Sequence, residues 1–215
     1  ELPSSREEYQ KKCEELGLNY SDADGKFFKR NMEFCAVRGE LTRKNVERMT
    51  GKKMDIPMAD AGILASELLK ERPEVCYDVG VVPHLCDLKD PAVKKLLASY
   101  DNAKFINVKD DPLQVVKEIA ECRYIISSSL HGLIVADSLG IPNMYLVFGD
   151  RLLGDGYKFE DYYSAYGVEA QPRDLRTEKA PELTEIEEQY QILPEMVEEK
   201  KHQMKAAFPY PVKNR

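Results

Sequence analysis

The most regular patterning lies in the middle of the chain. Val75-Cys-Tyr-Asp-Val-Gly-Val-Val82 is a near-continuous apolar run of strand length, followed by a helix from Pro91 to Tyr100. Lys104 to Val108 reads as a second strand, Pro112 to Cys122 as a helix, and Tyr124 to Ile126 as a short buried strand. Leu130, Leu133, Ile134 and Leu139 then recur at helical spacing, Gly140 closes the helix, and Pro142 introduces the apolar run Met144 to Phe148. Alternating strands and helices with short connections predict an α/β fold with a parallel, doubly wound, Rossmann-like sheet, because parallel strands need crossover helices to return the chain.

The flanks are less periodic. Ser4-Ser5-Arg-Glu-Glu opens a capped helix with Tyr9, Cys13 and Leu16 on one face and a stop at Gly17, and Asp22-Ala-Asp-Gly25 is a turn. Phe34-Cys-Ala-Val37 is expected as a buried strand ending in Arg38-Gly39, with a helix continuing through Leu41, Asn45, Arg48 and Met49 to Gly51. Met54 to Met58 is a short extended piece, and Ala59-Asp60-Ala-Gly62 leads into an apolar helix through Leu69. The charged stretch Lys70-Glu-Arg-Pro-Glu74 is the expected linker, which divides the chain into 1–73, 74–182 and a C-terminal helix and tail, 183–215. Tyr157 to Tyr166 carries four tyrosines, read as ring packing on a partly exposed helix, with sugar stacking as the sharper alternative. Leu183 to Ala207 is expected as one long polar helix interrupted at Pro194, with Ile186, Ile192, Leu193, Met196, Val197, Met204 and Phe208 on or near one face.

Composition narrows the function classes. With 215 residues, 43% hydrophobic and 32% charged, the chain can bury one substantial core or two small ones. A net charge of −7 argues against nucleic acid as a partner, so an anionic ligand needs locally placed positive charge. No apolar run reaches the roughly 20 residues that span a bilayer, and the amino end has no signal-peptide core. Cys13, Cys35, Cys76, Cys86 and Cys122 are scattered and odd in number, which suits reduced thiols in a cytoplasm. His84-Leu-Cys86 lacks a second ligand pair, so no structural metal is expected.

The candidate chemistry sits where strands give way to helices. Ser127-Ser128-Ser129 precedes the helix, and His131 falls in its first turn, where unpaired N–H groups and the helix dipole favour anions. Arg38 also stands at a strand's carboxyl end, where its planar fork could grip a carboxylate or phosphate, and His84 follows Pro83 at another. Each has a plainer reading: a serine cap, a tolerated polar histidine, a surface arginine. Signatures for dinucleotide, ATP, nucleophile-elbow and zinc-hydrolase chemistry are missing.

Three motifs together resemble the polysaccharide pyruvyl transferase family. They are Phe34-Cys-Ala-Val-Arg38-Gly-Glu-Leu-Thr42 followed by Ala59-Asp60, then Val79-Gly-Val-Val-Pro-His84, then Ser128-Ser-Leu-His131-Gly-Leu-Ile-Val-Ala-Asp-Ser-Leu-Gly-Ile-Pro142. The resemblance implies a two-lobed, GT-B-like fold, which this chain enters partway through its first lobe, so that the N-terminal lobe is expected to be incomplete. It implies transfer of the enolpyruvyl group of phosphoenolpyruvate onto two hydroxyls of a polysaccharide or glycan sugar, giving a pyruvate ketal and phosphate. His131 is then the expected catalytic acid or a phosphate ligand. Arg38, the Ser127, Ser128 and Ser129 turn, Leu130, Gly132 and His84 are the expected substrate-binding residues. Some members have Arg where this chain has Ser129. No cofactor is expected beyond the donor, and the acceptor is expected to be a glycan or lipid-linked saccharide; the oligomeric state is left open. The alternatives are a nucleotide-sugar glycosyltransferase of the GT-B fold, or a truncated, non-catalytic module of the same fold that binds a glycan or a partner.

Overall fold

The computed structural model describes residues 10, 11, 14, 15, 33–149 and 156–210. Gln10, Lys11, Glu14 and Glu15 are helical; the rest of the helix expected from Ser4, and the turn at Asp22–Gly25, lie outside the described residues. Helix α1 (Glu40–Thr50) and a 3₁₀ helix (Ala61–Leu68) precede the sheet. There follow β1 (Tyr77–Val82), α2 (Pro91–Leu97), β2 (Ala103–Phe105), α3 (Pro112–Ala120), β3 (Cys122–Ser127), α4 (Leu130–Ser138), β4 (Asn143–Val147), α5 (Tyr157–Ser164), β5 (Arg173–Asp174), α6 (Leu183–Gln189) and α7 (Pro194–Ala207). The strands form a parallel sheet in the order β2-β1-β3-β4-β5.

Local chemistry explains where the helices begin. Asp90 and Asp111 accept the N–H groups of Ala92 (2.8 Å) and Leu113 (3.0 Å), and each is followed by a proline whose fixed φ suits the first helical position. The central strands are apolar on both faces because helices cover both. Val79, Val81, Ile126, Met144 and Leu146 pack against α2 and α6, while Val82, Ile125 and Tyr145 face the helices α3, α4, α5 and α7. Each fully buried branched side chain among them stabilises the fold by roughly 1.5–3 kcal/mol.

One polar cluster interrupts this core. The Asp137 carboxylate of α4, wholly buried, accepts hydrogen bonds from Tyr162 OH (2.6 Å), Asn143 Nδ2 (2.6 Å) and Tyr190 OH (2.9 Å). It thus ties α4 to β4, to α5 and to the segment after α6. Burial nevertheless pushes its carboxyl up to about 6, against the lowering effect of those three donors.

Several expectations are corrected. Phe34–Val37 is not a buried strand: Val37 makes a single parallel bridge to Met58, and Phe34 to Ala36 stay partly exposed. The partner segment turns away at Ala59-Asp60 into the 3₁₀ helix, so pairing ends after one residue. That helix is 3₁₀ over eight residues; Asp60 accepts Gly62 N–H, and Ser138 Oγ of α4 takes the Ser66 amide (3.1 Å), which a regular α-helix would have used internally. The expected long C-terminal helix is two helices. Pro194 starts the second rather than interrupting one, and Leu193 (47%) and Phe208 (58%) are exposed rather than on a packed face. Of the four tyrosines, Tyr162 and Tyr166 are buried and Tyr163 is partly so, which is the packing reading; Tyr157 stays exposed. Among the described residues no helix is long and apolar enough to cross a membrane.

Candidate functional site

The strand order reverses at β1. The chain leaves β1 for β2 on one side, then returns past it to β3 on the other. In open parallel sheets the crevice outside the carboxyl ends at such a switch point is where ligands bind. Two connections meet there: residues 83–90 after β1, and Ser128-Ser129 after β3.

The serine turn stitches them together. Ser127 Oγ lies between the carbonyls of Val82 (2.7 Å) and Ser129 (2.9 Å), to which it can donate, and accepts the Ser129 N–H (3.0 Å). Ser128 Oγ accepts the His84 N–H (2.9 Å) and donates to Asp87 Oδ2 (2.8 Å). Both hydroxyls are therefore engaged within the fold. Ser129 takes the N-cap position of α4 without a side-chain cap bond, which leaves the first-turn N–H groups from Leu130 onward without an intrahelical partner. Gly132 is required for this closeness, since a Cβ there would lie 2.5 Å from Ser127 Oγ and 2.9 Å from Val82 Cγ1. His131, between Leu130 and Gly132, is exposed, and its ring edge lies beside Gly62 at the start of the 3₁₀ helix.

Arg38 reaches this edge from outside the sheet. It follows the Val37–Met58 bridge, and the Met58–Gly62 stretch runs from that bridge to the flank of His131. Arg38 Nε donates to Asp161 Oδ2 of α5 at 3.1 Å. The Asp161 carboxylate is fully buried and also accepts Thr42 Oγ1 (2.6 Å) and Thr42 N–H (2.9 Å). Ser164 Oγ accepts the Glu40 N–H (2.9 Å), so the start of α1 docks on α5 through several bonds. The approach demands Gly39, because any Cβ would overlap the Asp161 carbonyl oxygen. The result is an arginine held by one nitrogen. Among the described residues its two terminal nitrogens have no hydrogen-bond partner.

His84 stands at the carboxyl end of β1 with Nδ1 3.0 Å from Cys86 Sγ. Burial lowers its pKa below the ordinary histidine value and the positive charge of Lys158 lowers it further, with Asp87 opposing, which favours the neutral imidazole. Lys158, in the first turn of α5, has its own pKa lowered mainly by burial; Cys86 and Asp87 oppose the shift and Arg38 adds to it.

Of the residues picked out from sequence, Ser127, Ser128, Ser129, Leu130, His131, Gly132 and His84 therefore share the β1/β3 edge, and Arg38 is attached through Asp161 and the Met58–Gly62 segment. Sequence reading missed Asp161 and Lys158. The one available signal was a lysine in a helix's first turn, where the dipole disfavours a cation. A pocket of about 300 Å³ lies elsewhere, between the 3₁₀ helix, the end of α4 and α7. Its lining mixes aliphatic side chains with Ser66, Arg72 and Lys201, of which Lys201 is paired with Glu198 (2.8 Å), and it lies away from the carboxyl edge of the sheet.

An uncharacterized protein of Acanthamoeba polyphaga mimivirus is 35% identical over 150 residues, which cover 67% of this chain and 52% of the viral protein. The chain thus spans about half the length of that curated relative. No solved structure matches it. The family model for polysaccharide pyruvyl transferases matches residues 19–148, which include Arg38, His84 and the whole Ser127–Gly132 turn, and the chain belongs to that family.

Proposed function

We propose that this edge transfers the enolpyruvyl carbons of phosphoenolpyruvate onto two hydroxyls of a glycan sugar, forming a cyclic ketal and releasing phosphate. The observation that carries the reading is the pairing, in a family member, of an exposed His131 at an uncapped helix start with an Arg38 whose terminal nitrogens are unengaged. Arg38 would hold the donor, and the N–H groups at the start of α4 would contribute through the backbone.

His131 would deliver a proton to the methylene carbon of the donor, leaving positive charge at the adjacent carbon. A sugar hydroxyl then bonds to that carbon and gives up its proton, restoring the acid. Phosphate departs as a second hydroxyl closes the ring. The product gains a methyl hydrogen and two C–O bonds, and the remaining hydroxyl proton leaves with phosphate. The acceptor would lie along the rim formed by Leu85, Phe105 and Tyr157, exposed side chains at or following the carboxyl ends of β1, β2 and β4, whose apolar faces suit sugar C–H surfaces.

Incubating the protein with phosphoenolpyruvate and a panel of glycans should release phosphate only with a suitable acceptor; no release with any acceptor overturns the reading. His131→Ala should cost about 10²–10⁴-fold in turnover while phosphoenolpyruvate still binds. An active variant would remove His131 from the acid role.

A further inference from the structure

Helix α5 carries Asp161 and, one turn earlier, Lys158. Residues three apart share a helix face, so the residue that anchors Arg38 and this lysine are presented together. Among the described residues Lys158 Nζ makes no hydrogen bond or ion pair; its one close partner is the ring of Phe159, 5.3 Å from Nζ to the centroid. We propose that Lys158 is an anion-binding residue of this site and takes the phosphate of the donor, a role that rests on the transfer reading above.

Three features support it. A partly buried ammonium that makes no ion pair in contact is costly even with Asp87 offsetting part of its charge, and a bound anion supplies the rest. The ammonium also sits in the first turn of α5, against the dipole, so ammonium and helix start present positive potential to the same region. Finally, its neighbours are those of the candidate site: its charge is felt at His84, and it in turn feels Arg38, Cys86 and Asp87. The division of labour follows from side-chain shape. With Nε fixed on Asp161, Arg38 presents its two terminal nitrogens as a planar pair that matches a carboxylate, while a lysine acts on phosphate as a point charge. Lys158 lies beyond the family-matched residues, so nothing in that match assigns it.

The test compares the wild type with Lys158→Gln and Lys158→Arg for binding of inorganic phosphate and phosphoenolpyruvate by calorimetry, with thermal midpoints as a folding control. Loss of one charge-assisted contact should weaken both ligands about 10- to 100-fold in Lys158→Gln, and Lys158→Arg should stay close to wild type. Wild-type affinity in a folded Lys158→Gln overturns the proposal and leaves the transfer reading standing. If Lys158→Gln weakens phosphate binding but the wild type turns over phosphoenolpyruvate with no acceptor, the anion site stands and the transfer reading falls. A wild type that binds neither ligand overturns both.

Discussion

Asp137 gives the structure a quantitative test of its core. Its carboxyl is fully buried, and its pKa is raised from the ordinary 3.8 to about 6 because burial outweighs the three donors around it. The folded state therefore holds this proton more tightly than the unfolded chain does. Between about pH 4 and pH 6 the folded protein binds more protons, so stability falls as pH rises through that window and levels off above it. At about 1.36 kcal/mol per pKa unit the full loss is about 3 kcal/mol, a large fraction of the stability of a protein this size.

Other groups titrate over the same range, so the assay is a difference. Urea unfolding followed by circular dichroism, from pH 4.5 to 7.5, should be run on the wild type and on Asp137→Asn, which keeps the side-chain shape and leaves an amide oxygen for the phenol of Tyr162 or Tyr190. The wild-type-minus-variant stability should fall by about 2 kcal/mol across that range, the remaining third lying below pH 4.5. A flat difference, or one that grows with pH, would refute the claim that desolvation dominates at this carboxyl.

Two further predictions concern the site's supports and its thiols. Asp161→Ala strips the partner from Arg38 Nε and from both donors of Thr42, and should destabilise by about 3 kcal/mol in urea unfolding. In an Arg38→Ala background the same change should leave phosphoenolpyruvate affinity untouched, since Asp161 acts on the ligand only through Arg38. Cys122 is buried and its thiol is pushed up to about 12, chiefly by burial, whereas Cys76 is exposed; mapping by mass spectrometry after brief alkylation should find Cys76 labelled and Cys122 intact until the protein is unfolded.

What was legible in the sequence was local. The apolar run ending at Val82, the aspartate–proline pairs before α2 and α3, and the strand–serine–helix passage closed at Gly140 (φ 66) each encode their element within a few residues. Alternation of such elements was enough for the parallel sheet, and the turn after β3 then had to stand at its carboxyl edge. What failed needed a distant partner. Phe34–Val37 has the composition of a strand, but strand formation requires an edge to pair with, and among the described residues Met58 alone bridges to it. The segment from Ala61 has helical periodicity, yet a hydroxyl 72 residues away takes one of its amides. The same distance hid half of the site. Arg38 could be suspected from its position at a junction, but the carboxylate that orients it lies 123 residues further on, in a helix whose sequence reads as an aromatic packing element. Lys158 is visible only once that helix is docked, because its significance is a relation to Arg38 and His84 rather than a pattern of its own. The junctions therefore announce where an anion can bind, and the residues that set its orientation and charge come from whichever helix the fold lays across them.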